Sequence, residues 1–423
     1  MRKRYRLLIF LNTFASGIMA PVLALALLEH GATISTVSLM LGIYSLTVIA
    51  AEFPSGVFAD LCGRKKAYAL SAALYVLSYC VLLFSTTASL LAAAMVLLGL
   101  ARAFSSGSID ALAMDEAVSS GCEVVKVSAQ VSIMENAGLA AGALTGGIIS
   151  GIGERYAGNL LVNLTVYTLV LVCTILFVHE QPRPCSKARG MLGGFRVQVR
   201  ESLSFVIQKG KVRMLFVLSI LTGFALLSVE TYWQPALLKL SPPPFVFGAV
   251  SFAGFACVVV GSKLTQFLLT KHPQIGVVAA LGFKALFGLS LGLLVTQSES
   301  FLFAGVYSLA YLFLGSGSVA ESALLNQLAP SKGRASILSL FSFVLQIGGL
   351  IASLSGAAMS AYSDYKYMWY LSGSLLLLGA GVFAMVFGKR LLQVRQKTRE
   401  NELNLTQSEA ANAAEDVCEE GNT

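Results

Sequence analysis

Residues 52–66 read EFPSGVFADLCGRKK and close a long apolar run that begins near Thr33. The run carries no charged residue before Glu52, and then a proline, two glycines, an aspartate and three cations follow in quick succession. A helix needs about 20 mostly apolar residues to cross a membrane. The stretch therefore marks the end of a membrane-length helix and the start of a short, highly polar loop.

The composition of the whole chain is typical of a membrane protein. Of its 423 residues 56% are hydrophobic and only 12% are charged, whereas soluble domains carry about 25% charged residues. The seven cysteines and three histidines show no metal-binding spacing, and no nucleophile lies in a pattern with a base. We expect no cofactor, no metal and no enzymatic activity.

Apolar segments of spanning length recur twelve times, which predicts an all-α membrane protein. The first, which follows MRKRYR, is longer than the apolar core of a signal peptide. The predicted spans are 6–28, 34–60, 66–85, 88–116, 127–152, 158–178, 213–237, 245–270, 274–296, 300–325, 334–361 and 367–388.

The distribution of Lys and Arg predicts the orientation of these spans. With both termini in the cytoplasm, the loops expected outside hold only Arg155, Lys239 and Lys366 of the 30 basic residues. Because cytoplasmic loops are enriched in Lys and Arg, the net charge of +8 indicates topology and contact with lipids rather than nucleic-acid binding. The short loops are typical of a multi-pass protein of a bacterial inner (plasma) membrane, and we expect a monomer.

A long central connection divides the spans six and six. We predict an N-terminal six-helix bundle (1–178), a cytoplasmic loop (179–212), a C-terminal bundle (213–388) and a polar, acidic, disordered tail (389–423). The loop is either a solvated linker or contains an amphipathic helix with Phe195, Val199, Leu203 and Val206 on one side. SGSIDALAMD (106–115) is echoed by SGSVAESALLN (316–326), so the halves are pseudo-symmetric repeats with a binding site between them.

The opening stretch contains Gly56-xxx-Asp60-xx-Gly63-Arg64-Lys65, which resembles the loop signature of the major facilitator superfamily. Gly56 would let a neighbouring helix approach, and Gly63 would permit a tight turn. The resemblance implies that Asp60 latches the cytoplasmic side shut against span 11. The alternative is that Asp60 only caps a turn.

Two further motifs extend the resemblance. Leu98-xxx-Arg102 in span 4 is similar to the family's second motif. In span 5 a run of small residues resembles the family's antiporter motif, with the alternative that it serves ordinary helix packing; its glycines are Gly138, Gly142, Gly146 and Gly147.

Charged residues at membrane depth are functional candidates, because an ionisable group is costly there. Burial disfavours the charged form of a carboxyl and Arg102 favours it, so Asp110 and Glu135 could take up and release a proton. The alternative is a static ion pair with Arg102. Glu52 and Asp115 are further candidates for proton coupling.

The second half holds candidates for a substrate cavity. Glu230 beside Tyr232 and Trp233 suits a lipophilic cation, although aromatic residues also form interfacial belts. Lys284 is expected to pair with a carboxylate, with Glu230 as one candidate, or to bind an anionic substrate group. Glu321 and Gln346 complete the set.

The leading hypothesis is a secondary transporter of the major facilitator superfamily that resembles the proton-coupled drug and metabolite antiporters. It would export a small lipophilic or cationic compound by alternating access, with protons and membrane lipids as further partners. An alternative is a proton-coupled uptake symporter for a nutrient or organic anion. A more remote alternative is a non-transporting membrane sensor that signals through the acidic tail.

Overall fold

A computed structural model of the chain describes residues 3–106, 108–119, 124–178, 180, 200, 202–272, 275–330 and 334–386. Most of the predicted central loop and the whole tail from residue 389 lie outside the described residues. The side chains of Asp60 and Asp115 also lie outside them.

The chain is built from α-helices, as the apolar pattern predicts. The first half contains α1 (Lys3–Met19), α2 (Leu23–Glu29), α3 (Ile34–Cys62), α4 (Arg64–Leu83), α5 (Ala88–Ser105), α6 (Ser108–Ser119), α7 (Val124–Ile149), a 3₁₀ turn (Glu154–Tyr156) and α8 (Ala157–Phe177). The second half contains α9 (Gly210–Leu238), α10 (Phe245–Lys271), α11 (Gly276–Val295), α12 (Ser300–Leu328), α13 (Arg334–Tyr362) and α14 (Lys366–Val386).

These helices account for the twelve predicted spans. Within the described residues ten helical spans are long and apolar enough to cross a membrane, one of them running from α5 into α6. The pair α1 and α2 passes the same test together. The remaining predicted span, 127–152, corresponds to α7, which is 26 residues long and packs against α1 and α10. The helices form two bundles of six spans each, α1–α8 and α9–α14, as the sequence predicts.

The first span is broken, which the sequence analysis did not predict. Residues 20–22 separate α1 from α2, and the two axes differ by 50°. Pro21 lies in the break. Because proline has no backbone N–H and clashes with the preceding turn, it interrupts a helix. The break separates the carbonyl of Ala20 from the N–H of Ala24, which would bond to each other in a continuous helix.

The two ends of the molecule are distinguished by charge. One end, here called the basic end, carries Arg4, Arg6, Lys65, Lys66, Lys209, Lys211, Arg213 and Lys271. The opposite end is formed by the connections near residues 30–33, 84–87, 150–156, 239–244, 296–299 and 363–365. Thr33 caps α3 at that opposite end, where its hydroxyl accepts from the backbone N–H of Thr36 at 3.1 Å.

The two bundles meet along two long helix pairs, α3 with α13 and α7 with α10, and α2 touches α9. Hydrogen bonds between the halves cluster near the opposite end. There Ser35 and Ser38 donate to the carbonyls of Ala357 and Ser353 at 2.6 and 2.9 Å. The protein is therefore held together across its two halves at the end away from the basic loops.

A short helical segment, 202–208, precedes α9. Val206 is buried in a cluster with Val212, Phe216 and residues of α12 and α13, whereas Leu203 is 48% exposed. The two side chains that were expected to share one apolar face therefore have different surroundings.

Candidate functional site

A cavity of about 200 Å³ lies between the halves, formed by α3 and α5 of the first and α9 and α13 of the second. Its lining combines two charged groups, several polar groups and an apolar wall. The lining residues are Tyr44, Ser45, Val48, Glu52, Arg102, Ser106, Gly223, Leu226, Leu227, Leu345, Gln346 and Gly349.

Glu52 is the carboxylate of this lining, and α3 holds it where the halves meet. Its Oε1 accepts from the Ser106 hydroxyl at 3.5 Å, within the first half. Its Oε2 accepts from the amide of Gln346 on α13 at 3.4 Å. Both contacts are long for hydrogen bonds, so the carboxylate is loosely held and bridges the halves through Gln346.

Arg102 brings a positive charge to the same cavity from the last turn of α5. Its charge interacts with Glu52, Tyr44 and Tyr75. Tyr75 is part of a stacked aromatic group, with its ring 4.1 Å from that of Tyr167. Within the described residues no hydrogen bond to the guanidinium is formed, which leaves its donors available to a ligand.

Asp110 and Glu135, the predicted proton-coupling pair, lie within range of a charge–charge interaction with each other. The carboxylate of Asp110 also interacts with the charge of Arg102. Both side chains are half-buried. Neither lines the cavity, so the structure places the pair beside the site rather than in it. The side chain of Asp115 lies outside the described residues.

The loop motif at the basic end contains the expected turn at Gly63, with φ of +105°, which favours glycine. At Gly56, no neighbouring atom of the described residues lies within 4 Å of the place where a Cβ would stand, so they show no close helix contact there. The expected contact of Asp60 with span 11 falls on a side chain outside the described residues.

Sequence reasoning missed the residue that contacts this motif. Glu180 follows α8, and its carboxylate accepts from the backbone N–H groups of Arg64 and Lys65, both at 2.9 Å. Lys65 in turn donates to the carbonyl of Ile175 at 2.9 Å. The N-terminus of α4 thus binds an anionic group, which its unpaired N–H groups and helix dipole favour. In the sequence, Glu180 is an acidic residue at the start of a loop rich in Lys and Arg, and this contrast could have indicated a contact with a basic segment.

The glycines of span 5 lie at close helix contacts. A Cβ at Gly138 would stand 2.6 Å from the Phe10 carbonyl oxygen, and one at Gly142 would stand 2.9 Å from the Cα of Gly17. Gly146 faces the backbone of Ile18 on α1, whereas Gly147 faces Gly248 on α10. The motif therefore packs α7 against its own bundle and against the other one.

Most of the predicted substrate residues of the second half do not line this cavity. Trp233 is completely buried, where its ring packs against Phe247 and Tyr307. Tyr232 donates to Ser38 across the halves at 3.1 Å. Of that set, Gln346 alone is among the cavity's lining residues.

Lys284 pairs with a carboxylate, as expected, but its partner is not Glu230, which was one candidate. Lys284 forms an ion pair with Glu321, with Nζ 2.7 Å from Oε2, while Glu230 accepts from the hydroxyl of Tyr311. All three charged groups lie in the second bundle. Helical periodicity fixes which residues share one helix face, but it does not fix which neighbouring helix that face meets.

A further residue that the sequence analysis missed closes the break in the first span. The side chain of Gln234 on α9 accepts from the N–H of Ala24 at 2.9 Å and donates to the carbonyl of Ala20 at 2.8 Å. Gln234 is 2% exposed. Its amide thus joins α9 to the broken backbone of the other half.

No group of three or more His, Cys, Asp or Glu residues in the described part of the chain could hold a metal ion. The cavity is lined by a carboxylate, a guanidinium, hydroxyls, an amide and aliphatic side chains. Such a lining can bind a small organic molecule and exchange protons.

Comparisons with known proteins agree with this architecture. Residues 7–317 match the family described as the Major Facilitator Superfamily. The uncharacterized MFS-type transporter YxaM of Bacillus subtilis (strain 168) is 24% identical over 389 residues, which cover 89% of this chain and 93% of that protein.

Solved structures share the fold at low identity. The nucleoside transporter NupG (D323A mutant) has a TM-score of 0.76 at 13% identity, covering 91% of this chain and 99% of NupG. A bacterial homologue of the iron transporter ferroportin, in an inward-facing state, has a TM-score of 0.71 at 16% identity, covering 90% and 97%. A POT family transporter in complex with 5-aminolevulinic acid has a TM-score of 0.66 at 15% identity, covering 92% and 96%.

Proposed function

Because this chain belongs to the Major Facilitator Superfamily and is a membrane transporter, we propose that it exports a small lipophilic or cationic compound in exchange for protons. The two bundles would rock about the cavity between them and expose it alternately to either side. The protein would lie in a cell membrane with its basic end facing the cytoplasm, since cytoplasmic loops are enriched in Lys and Arg. A monomer holds the complete cavity.

The observation that carries this proposal is the position of Glu52. It is the only carboxylate among the described residues that line the cavity, and it contacts both halves. A proton and a cationic substrate would compete for this group. Such competition gives exchange, because each ligand favours the release of the other.

The rest of the lining supports a lipophilic substrate. Leu226, Leu227, Leu345 and Val48 supply apolar surface, and Tyr44 supplies an aromatic ring. Apolar walls with a few placed polar groups are typical of small-molecule sites, and an aromatic face attracts a cation. Asp110 and Glu135 would pass protons beside the cavity.

Arg102 favours a second candidate function, the proton-coupled uptake of an organic anion. Its guanidinium lines the cavity and could bind a carboxylate or phosphate group in two-pronged fashion. Lys284, the anchor expected from the sequence, does not support this function, since Glu321 already neutralises it. Solved structures that share the fold are described as a nucleoside transporter, a bacterial homologue of the iron transporter ferroportin and a POT family transporter, so the fold favours neither candidate.

Transport into proteoliposomes under an imposed pH gradient tests the proposal. With the wild type, lipophilic cations such as tetraphenylphosphonium should cross the membrane in the direction opposite to the proton flow. Glu52→Gln should lower that rate by roughly tenfold or more, the usual size of coupling between two sites. The matched control is Glu299→Gln, which makes the same change at an exposed N-cap position whose side chain forms no capping hydrogen bond with α12.

Equal rates in Glu52→Gln and the wild type would refute the assigned role of Glu52. Gradient-driven movement of organic anions, lost in Arg102→Gln, would instead establish the uptake candidate.

A further inference from the structure

Lys284 on α11 and Glu321 on α12 form an ion pair inside the second bundle, and each side chain is only 3% exposed. Lys284 also donates to the hydroxyl of Thr222 on α9, whose own proton is given to the Leu218 carbonyl at 2.7 Å. Within the described residues, Oε1 of Glu321 has no hydrogen-bond partner. The pair therefore has one carboxylate oxygen free to take a proton.

The ion pair lies in apolar surroundings, so a change in the charge of either partner has a large energetic effect. Leu218, Leu281, Ala320 and Leu324 form a buried apolar cluster in this region. A buried ion pair adds little net stability, but removal of one charge leaves the other uncompensated at high cost. A neutral Glu321 would leave the Lys284 ammonium in an apolar site without a counter-charge, which favours an arrangement that hydrates it.

The pair lies directly behind the cavity wall. Thr222, which Lys284 contacts, is followed by Gly223, which lines the cavity. Gly223 packs so closely on α13 that an added Cβ would lie 2.8 Å from the carbonyl carbon of Leu345, another lining residue. One face of α9 thus meets the ion pair and another forms the wall.

We propose that Glu321 is a second proton-binding carboxylate, outside the cavity, which repositions α9 at the cavity wall by releasing Lys284 when it takes up a proton. This inference rests on the proton coupling of the proposed function. The proton comes from water and occupies a carboxylate oxygen of Glu321, while Lys284 keeps its charge. Glu321 acts as a positioning residue, because it reaches the cavity only through α9.

Few other charged or titratable groups of the described residues could produce the same response. Lys284 is the charged group that acts on Glu321, and α9 presents the Thr222 hydroxyl. On α10, which packs against α12, Lys263 is exposed. The half-buried carboxylate of Glu230 also belongs to this bundle. It accepts a hydrogen bond from Tyr311 and lies near Tyr307, so it needs its own control.

Tryptophan fluorescence can follow this switch without any substrate. The chain has two tryptophans, Trp233 and Trp369; both are buried in the second bundle, and Trp369 donates to the Ser228 carbonyl of α9 at 3.1 Å. Purified wild type in nanodiscs, titrated between about pH 5 and 9 where perturbed carboxyls change charge, should show a fluorescence transition. The transition should persist in Glu52→Gln and Glu230→Gln and disappear in the double variant Lys284→Met with Glu321→Gln.

No transition in the wild type, or one that survives in the double variant or is lost in Glu230→Gln, would overturn the inference. If the double variant fails to fold, exchange of the two charges (Lys284→Glu with Glu321→Lys) decides: a shifted midpoint supports the inference and an unchanged midpoint overturns it. A failure of proton-driven cation export with the fluorescence switch intact would refute the proposed function alone.

Discussion

Glu180 shows how one side chain can fix the loop that the sequence singled out. Its carboxylate accepts two backbone hydrogen bonds at the start of α4, 2.9 Å each, where the helix dipole favours a negative charge. Gly63 makes room for it, because a Cβ at that position would lie 2.7 Å from the nearer carboxylate oxygen.

Replacement of Glu180 by alanine should lower the free energy of unfolding by about 1 kcal/mol, the usual effect of losing a helix-capping side chain. Thermal unfolding in detergent, monitored by tryptophan fluorescence, measures the change. Glu154→Ala is the matched control, since Glu154 is exposed in the 3₁₀ turn at the opposite end. Equal melting temperatures for the two variants would contradict the capping role.

The charged residues illustrate what could and could not be predicted from the sequence. Lys284 was correctly expected to need a carboxylate, because a lone ammonium is costly at membrane depth. Its partner is Glu321 rather than Glu230. The choice depends on how α11 and α12 are rotated against each other, which packing of the whole bundle determines. Glu52 and Gln346 were named as separate candidates, and the structure brings them together in one cavity.

Helix packing explains why the small residues of span 5 recur at regular spacing. Close approach of α1 and α7 depends on glycines that face backbone rather than side chains. This contact could be predicted from the GxxxG-like spacing alone, although its partner helix could not. The break between α1 and α2 was signalled by Pro21 and overlooked, because the surrounding residues are uniformly apolar.

Gly146→Ala should destabilise the protein by about 1–3 kcal/mol, the typical cost of overpacking a tight contact, because the new Cβ would lie 2.9 Å from backbone atoms of Ile18. Gly282→Ala is the control, as no atom of another helix in the described residues lies within 4 Å of the place where its Cβ would stand. It should be neutral or slightly stabilising, since alanine favours a helix. The interpretation fails if both variants melt alike.

The conformation of the whole molecule is set by contacts at the end opposite the basic loops. Gln234 joins α9 to the broken first span, and Tyr232 joins α9 to Ser38 on α3. An alternating-access cycle must break these contacts before that end can open. Opening that end would leave the backbone groups of Ala20 and Ala24 without their partner Gln234, so these two hydrogen bonds stabilise the closed arrangement.

Gln234→Leu should shift the population toward the state that is open at this end. Loss of two buried hydrogen bonds that leave backbone groups unpaired costs about 1–3 kcal/mol, which changes a two-state ratio by roughly tenfold or more. Alkylation of a cysteine introduced at Ser38, buried in this conformation, measures the shift. Gln297→Leu removes an amide at the same end whose hydrogen bond to the Leu293 carbonyl is exposed, so it should leave the alkylation rate unchanged. Equal rates in both variants would argue against a latch at Gln234.

The most direct test of the account is a pair of distance measurements by electron paramagnetic resonance. In protein without its seven native cysteines, one label pair at Thr87 and Ser298 spans the opposite end, and another at Lys66 and His272 spans the basic end; all four positions are exposed. A change of pH or addition of a transported cation should lengthen the first distance while the second shortens. Distances that stay the same under every condition, or that change together in one direction, would contradict alternating access through the cavity around Glu52.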